Sequence, residues 1–336
     1  MASSSLLSIA TPINPETQPE PSGSNSLVSL AGQVSTFIQA AKAKNTRRAY
    51  QSDWESFARW CREHGPLSLP ASPTTVALYI TDLAARCKAS TIHRHLTSIA
   101  RVHEMAGHPS PATMRHAVVS ETLKGIRRTL GTAQKGKLPL LTADLQKVLA
   151  HVPDTLGGVR DRALLLVGFA GAFRRSELAA LVVEQVEFNS DGLVILLDFS
   201  KTDPEGKGET VAIPFGAHHA TCPVRALQKW LEDSGVGRGG GPLFRAVDRH
   251  GRVSEEGLHA NSIGAIVKRA CRIAGYNAKE FAGHSLRAGL ATQAAANGVP
   301  ERLIMRQTRH RSVTTLRRYI RQGSLFRENA AAKVGL

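Results

Sequence analysis

Helical periodicity runs from about residue 31 to residue 130 and stops at Gly131-Thr-Ala-Gln-Lys-Gly-Lys-Leu138. Within that run, Tyr50, Trp54, Phe57 and Cys61 stand at i, i+4, i+7 and i+11, one apolar helix face. Ser72-Pro73 is a cap followed by proline at the first helical position, and Val76, Tyr79, Ile80 and Leu83 form the buried stripe behind it. Ser90 caps the next helix, whose inner face is Ile92, Leu96, Ile99 and Val102. A further helix over 118–130 buries Val119, Leu123, Ile126 and Leu130. Such a chain can fold here only as a packed helical module. The Gly- and Lys-bearing stretch 131–138 reads as a flexible, basic linker out of it.

Beyond the linker the pattern is mixed. Thr142 caps a helix with Leu145, Val148 and Leu149, and 162–172 is a buried helix. Residues 192–199 and 209–214 read as two strands around the turn-rich loop Asp203-Pro-Glu-Gly-Lys-Gly208. Helices follow near 222–234, 261–274, 284–297, 300–307 and 312–321, with Gly298 and Pro300 separating the third from the fourth. The second domain, 139–336, is therefore mostly α with a small antiparallel sheet. Residues 1–30, rich in Ser and Pro, read as a disordered tail.

Charge narrows the partner. The chain has 43 Lys plus Arg against 27 Asp plus Glu, a net +16. The first 41 residues contribute only Glu16 and Glu20, so the excess lies in the two folded parts, about +10 over 42–137 and +8 over 138–336. A polyanion touching both parts fits this, bound with strong salt dependence. Cations line the outer faces of the first module: Arg47, Arg48, His93, Arg94, Arg101, Lys124, Arg127 and Arg128, with Thr97 among them. These are the candidate DNA-binding residues.

Other classes drop out. Cys61, Cys87, Cys222 and Cys271 form no CxxC pair and read as reduced thiols of a cytoplasmic protein. No apolar run reaches a membrane span of about 18 residues. His93-Arg-His95 and His218-His219 lack neighbouring ligands, so neither metal nor other cofactor is expected.

Chemistry gathers in three basic boxes and one tyrosine. They are Arg174-Arg175-Ser176-Glu177-Leu178, Gly283-His284-Ser285-Leu286-Arg287, and His310 with Tyr319 nine residues on. Tyr50 and Tyr79 lie on apolar stripes, and Tyr276 has no flanking box. His284 and Arg287 share a helix face, and Glu177 can hold Arg174. A tyrosine hydroxyl amid Arg, His and Lys is what metal-free attack on a phosphodiester needs.

Taken together, these boxes resemble the tyrosine recombinase, or phage integrase, family over roughly residues 31–330. Arg174 begins an R-x-x-E-L box, Lys201 falls at the family's β-hairpin lysine, and His284-Ser-Leu-Arg287 fits the H-x-x-R box. His310 matches the later His/Trp position and Tyr319 the nucleophile. The stretches Phe57–Cys61, Lys88–Leu96 and Ala106–Pro109 resemble the helical domain of Cre.

The resemblance implies a SAM-like core DNA-binding domain and a mostly α catalytic domain closing on duplex DNA as a C-shaped clamp. It also implies site-specific recombination through a 3′-phosphotyrosine and a Holliday junction, without metal or ATP. The expected assembly is a homotetramer on two inverted-repeat sites, with the C-terminal segment exchanged between subunits. Arg174 and Arg287 would grip the phosphate, with His310 adding a hydrogen bond. His284 would accept the tyrosine proton or position the tyrosine. Lys201, or alternatively Lys207, would protonate the leaving oxygen.

Two departures stand out. Arg309 occupies a position where the family usually has glycine. Arg175 stands where an apolar residue is usual, which leaves open whether Arg174 or Arg175 meets the phosphate. A type IB-like topoisomerase and a catalytically silent DNA-binding relative share parts of this pattern.

Overall fold

The computed structural model describes residues 27–41, 43–133, 136–197, 208–323 and 334. The chain divides into two compact units, residues 1–134 and 135–336.

The first unit is built from α1 (Leu27–Ala40), α2 (Lys44–His64), α3 (Pro73–Ala84), α4 (Ala89–Met105) and α5 (Ala117–Leu130). Residues 27–30, read from sequence as the end of a disordered tail, are the first turn of α1. Its Leu30, Val34 and Phe37 are exposed. The Ser72 cap is present, its Oγ accepting the Thr75 N–H at 3.0 Å. The cap of α4 is Lys88 rather than Ser90, which lies inside the helix. Phe57, Val76, Tyr79, Ile80, Ile92, Leu96, Ile99, Val119 and Leu123 make one core. Each such side chain contributes on the order of 1.5–3 kcal/mol by leaving water. Tyr50 and Val102 are only half-buried and Leu130 is exposed, because each stands where its face begins to turn from the core.

A buried polar knot ties α2, α3 and α4 together. Asp53, 3% exposed, accepts from Arg94 at 2.9 Å, Ser98 at 3.1 Å and His95 at 3.1 Å. His95 Nδ1 meets the Tyr79 hydroxyl at 3.0 Å. Desolvation lowers the His95 pKa, against the pull of Asp53, so the ring is neutral and presents one donor to the carboxylate and one acceptor to the phenol. This network has no period in sequence, and its Arg94 was expected only as a DNA contact.

The second unit contains α6 (Thr142–Ala150), α7 (Leu156–Ala170), α8 (Arg175–Ala180), β1 (Val186–Phe188), β2 (Gly192–Leu197), β3 (Glu209–Pro214), α9 (Pro223–Ser234) and α10 (Val236–Gly239). After these come β4 (Arg245–Val247), β5 (Val253–Gly257), α11 (Ala260–Ile273), α12 (His284–Ala296), α13 (Glu301–Thr308) and α14 (Val313–Gly323). β1, β2 and β3 form an antiparallel meander, with Leu197 opposite Glu209 at its far end, and β4 pairs with β5. The short strands β1, β4 and β5 carry too few alternating residues to be seen in sequence. Thr142 is the first residue of α6 and not its cap; the Leu141 N–H is taken up by the Asp144 carboxylate at 3.3 Å.

α7 is the central element, with Ala163, Leu164, Leu165 and Val167 wholly buried. At Gly168 a Cβ would stand 2.9 Å from both Leu178 and Leu286, so α8 and α12 approach α7 there at glycine distance. That contact brings the first and second basic boxes beside one another. Leu138, the last residue of the stretch read as linker, is fastened: its N–H reaches the Glu280 carbonyl at 2.8 Å, and Leu140 does the same to Ser285 at 3.0 Å. Among the described residues, no helix is long and apolar enough to cross a membrane.

Candidate active site

Arg174 immediately precedes α8, with an extended backbone that turns its side chain back over the first helical turn. Glu177 Oε2 accepts the Arg174 N–H at 2.9 Å, and the same carboxylate pairs with the Arg174 guanidinium. Burial by itself would raise the Glu177 pKa; the Arg174 N–H, Arg309 and the Arg174 guanidinium overcome it and hold the group below the ordinary range. Arg175 is exposed and lies against Gly283, away from Glu177. The box therefore turns Arg174, and not Arg175, toward Glu177 and the other candidate side chains.

Arg287 is one turn into α12 and 1% exposed. Its Nη1 donates to the Ala172 carbonyl at 2.8 Å, while the buried Nη2 has no hydrogen-bond partner among the described residues. Desolvation first, then the charges of Arg174 and Arg309, push its pKa down to about 9, which still leaves it cationic at neutral pH. A buried, charged donor with nothing to donate to costs free energy on the order of 1–3 kcal/mol or more.

Ala172 sits in the left-handed region at φ 46°, in the turn between α7 and Arg174. For a residue with a Cβ this conformation costs about 1–2 kcal/mol, and such strain concentrates at functional sites. Here it aims the Ala172 carbonyl at Arg287.

Tyr319 lies on α14, which packs by Leu316, fully buried, against Ala291, Ala295 and Ile304 of α12 and α13. Leu316 and Tyr319 are three residues apart and share that face. The Tyr319 hydroxyl is 2.6 Å from His284 Nε2 of the same chain. The His310 ring centre is 5.9 Å from that of Tyr319, and His310 Nδ1 is 2.7 Å from the Thr308 hydroxyl.

Both histidines are held neutral. His284 is lowered by desolvation, then by Arg287 and Arg174; its edge still reaches solvent, so the two charges are the sturdier cause. His310 is pushed down to about 4 by desolvation, then by Arg287 and Arg174. Burial raises Tyr319, against the pull of Arg287 and Arg318.

Arg174, Glu177, His284, Arg287, His310 and Tyr319 thus come together, although they lie on four separate stretches of chain. Lys201 and Lys207 lie outside the described residues. Of the nine residues named for DNA, Arg47, Arg48, His93, Arg94, Thr97, Arg101, Lys124, Arg127 and Arg128 are all exposed. Arg94 is partly committed to Asp53, and Arg101 and Lys124 face Glu104 and Glu121 at 3.3 and 3.6 Å. Sequence reading missed Thr308, the strained Ala172 and the depth of Arg309; the sole signal was that Arg309 replaces a glycine.

A Phage integrase family profile matches residues 140–324. The chain is 43% identical over 298 residues to the integrase/recombinase xerD homolog of Selenomonas ruminantium, covering 87% of this chain and 86% of that one. It is 26% identical over 300 residues to the recombinase cre of Escherichia phage P1, covering 84% and 85%. The fold is similar to that of the Tn1549 transposon integrase solved in complex with transposon right end DNA, at TM-score 0.60, 14% identity, and 90% and 98% coverage. With its tyrosine, histidines and paired arginines assembled on this fold, the chain belongs to the phage integrase family and is a tyrosine recombinase.

Proposed function

We propose that Tyr319 is the nucleophile of site-specific DNA recombination and that Arg174, His284, Arg287 and His310 serve it within the same chain. The carrying observation is the Tyr319 hydroxyl at 2.6 Å from a neutral His284, beside a buried Arg287 nitrogen that has no partner. Tyr319 Oη attacks the scissile phosphorus while its proton passes to His284 Nε2. As the bond to the 5′-oxygen breaks, the non-bridging oxygens gain charge. Arg174 and Arg287 receive them, Arg287 through its free Nη2, and the positive excess around Glu177 is relieved. The Thr308 hydroxyl donates to the Ile304 carbonyl at 2.6 Å; when it turns that proton to His310 Nδ1, 2.7 Å away, His310 adds a donor to the phosphate through Nε2–H. The leaving 5′-oxygen takes its proton from the hairpin lysine, Lys201 or Lys207.

The product is a 3′-phosphotyrosine and a free 5′-hydroxyl. One phosphoester replaces another, so ATP is not consumed, and a 5′-hydroxyl from a partner duplex reverses the step to give a recombinant strand. The partner is double-stranded DNA, held in part by the exposed cations of the first unit. The assembly is a homotetramer on two inverted-repeat sites, in the cytoplasm. In the second unit, an apolar groove of about 380 Å³ lined by Leu145, Leu149, Phe169, Ile213, Phe215 and Leu290 offers a seat for an exchanged C-terminal segment.

On a nicked suicide substrate carrying the target site, a covalent protein–DNA adduct is expected in the presence of EDTA and without nucleotide. Adduct formation that requires a divalent metal sinks the proposal. The lowered histidines also set a pH profile. Each stays neutral below 6.5, the ordinary value, and is lost as acceptor or neutral donor only as pH falls through its lowered pKa. The acid limb of kcat/KM for cleavage, measured from about pH 5 to pH 8, is therefore expected below 6.5. A limb at or above 6.5 contradicts a neutral His284 as proton acceptor.

A further inference from the structure

Three arginines, not two, are drawn into this site. Arg309 follows α13 directly, at φ 55°, in the left-handed conformation that glycine adopts most easily. The chain accepts that strain for a residue whose side chain is only 8% exposed. Its guanidinium donates from Nη1 to the carbonyls of Gly171 at 2.9 Å and Gln307 at 3.0 Å. From Nη2 it donates to Ala172 at 3.2 Å and to Glu177 Oε2 at 3.0 Å. Its plane rides over the Phe173 ring at 5.0 Å, and its Nε lies 3.8 Å from Glu209 Oε2 at the start of β3. Its own carbonyl accepts from Arg174 Nη2 at 3.4 Å.

These partners are the groups that orient the rest of the site. Glu177 is the carboxylate that holds Arg174, and Ala172 supplies the carbonyl that holds Arg287. Glu209 begins β3, the strand that follows Lys201 and Lys207 in the chain. His310 is the next residue in the chain. A lysine in place of Arg309 can supply charge but not a planar fork that reaches two carbonyls and a carboxylate together.

We infer that Arg309 is a positioning residue for strand cleavage: its buried fork locks the His310–Tyr319 segment onto Glu177 and the 171–172 turn, fixing where the nucleophile stands relative to Arg174 and Arg287. It does not touch the phosphate, since its nitrogens face protein groups. The inference rests on Tyr319 being the nucleophile.

The test is single-turnover cleavage of the nicked substrate by full-length Arg309→Gly and Arg309→Lys, with thermal unfolding and DNA affinity measured alongside. Glycine suits the backbone at φ 55° and removes only the fork. The expected result is a cleavage rate lower by about 10²-fold for Arg309→Gly at nearly unchanged DNA affinity, as displacement by about an ångström produces. Added guanidinium ion at low millimolar concentration is expected to restore part of the rate in Arg309→Gly and none in Arg309→Lys. A wild-type rate in Arg309→Gly overturns the inference. So does a loss that follows the melting temperature and is not rescued by guanidinium. If Arg309→Gly does not fold, Arg309→Lys decides, a wild-type rate again overturning it. The two failures are distinguishable: an adduct that persists in Tyr319→Phe overturns the nucleophile, whereas a wild-type rate in Arg309→Gly overturns only the positioning role.

Discussion

Tyr319→Phe is expected to abolish the covalent adduct on a nicked substrate while leaving the fold and DNA affinity intact. The substitution removes one oxygen. The ring stays packed against the cluster of Ala291, Ala295, Ile304 and Leu316, and the lost contact is the hydrogen bond to His284. Loss of a nucleophile lowers turnover by about 10⁴–10⁶-fold, below the background of a gel assay. Among the described residues, the neighbouring hydroxyl of Thr308 cannot substitute: it is fully buried and hydrogen-bonded to Ile304 and His310. An adduct of undiminished yield in the variant ends the assignment. Because the Tyr319–His284 contact lies within one chain, a mixture of Tyr319→Phe with Arg287→Met should not regain cleavage by exchanging tyrosines.

Arg287→Met should separate activity from stability. The buried Nη2 has no hydrogen-bond partner among the described residues, and Arg174 and Arg309 repel the guanidinium further. Removing this charge removes a desolvation cost and a repulsion, while methionine fills much of the same space. The carbonyl of Ala172 keeps its second donor, Arg309 Nη2 at 3.2 Å. Cleavage is therefore expected to fall by about 10²–10³-fold, the effect of removing one donor to a developing oxyanion. The melting temperature is expected to stay level or rise. Cleavage within a few-fold of wild type would show that Arg287 does not meet the phosphate. A large drop in melting temperature would show that its role is packing.

How far the sequence reaches is clearest at α3 and α12. The Ser72 cap, Pro73 and the Val76–Leu83 stripe define α3 within a residue, because capping and period are local. His284 and Arg287 share a face of α12 for the same reason: three residues are nearly one turn. Arg174 rather than Arg175 was not decidable locally, since both flank the start of α8. Only the approach of α12 places Gly283 under Arg175 and leaves Glu177 for Arg174. Asp53 is similar: its partners Arg94, His95 and Ser98 lie more than 40 residues on and close around it as α4 packs on α2.

Arg309 marks the division most sharply. By sequence it is a departure from glycine ahead of His310, one more cation in a basic chain. In the fold it is buried at φ 55° and shares Glu177 and Ala172 with the two arginines proposed for the phosphate. The sequence by itself determined the helical first module, the order of the boxes and the family, because these depend on period, spacing and residue type along one strand of chain. The tertiary structure alone decided which arginine turns inward, which nitrogen of Arg287 is left without a partner, and that Tyr319 meets its own chain's His284. Those depend on distances between segments that the chain brings together only when α8 and α12 pack on α7 and α14 packs on α12 and α13.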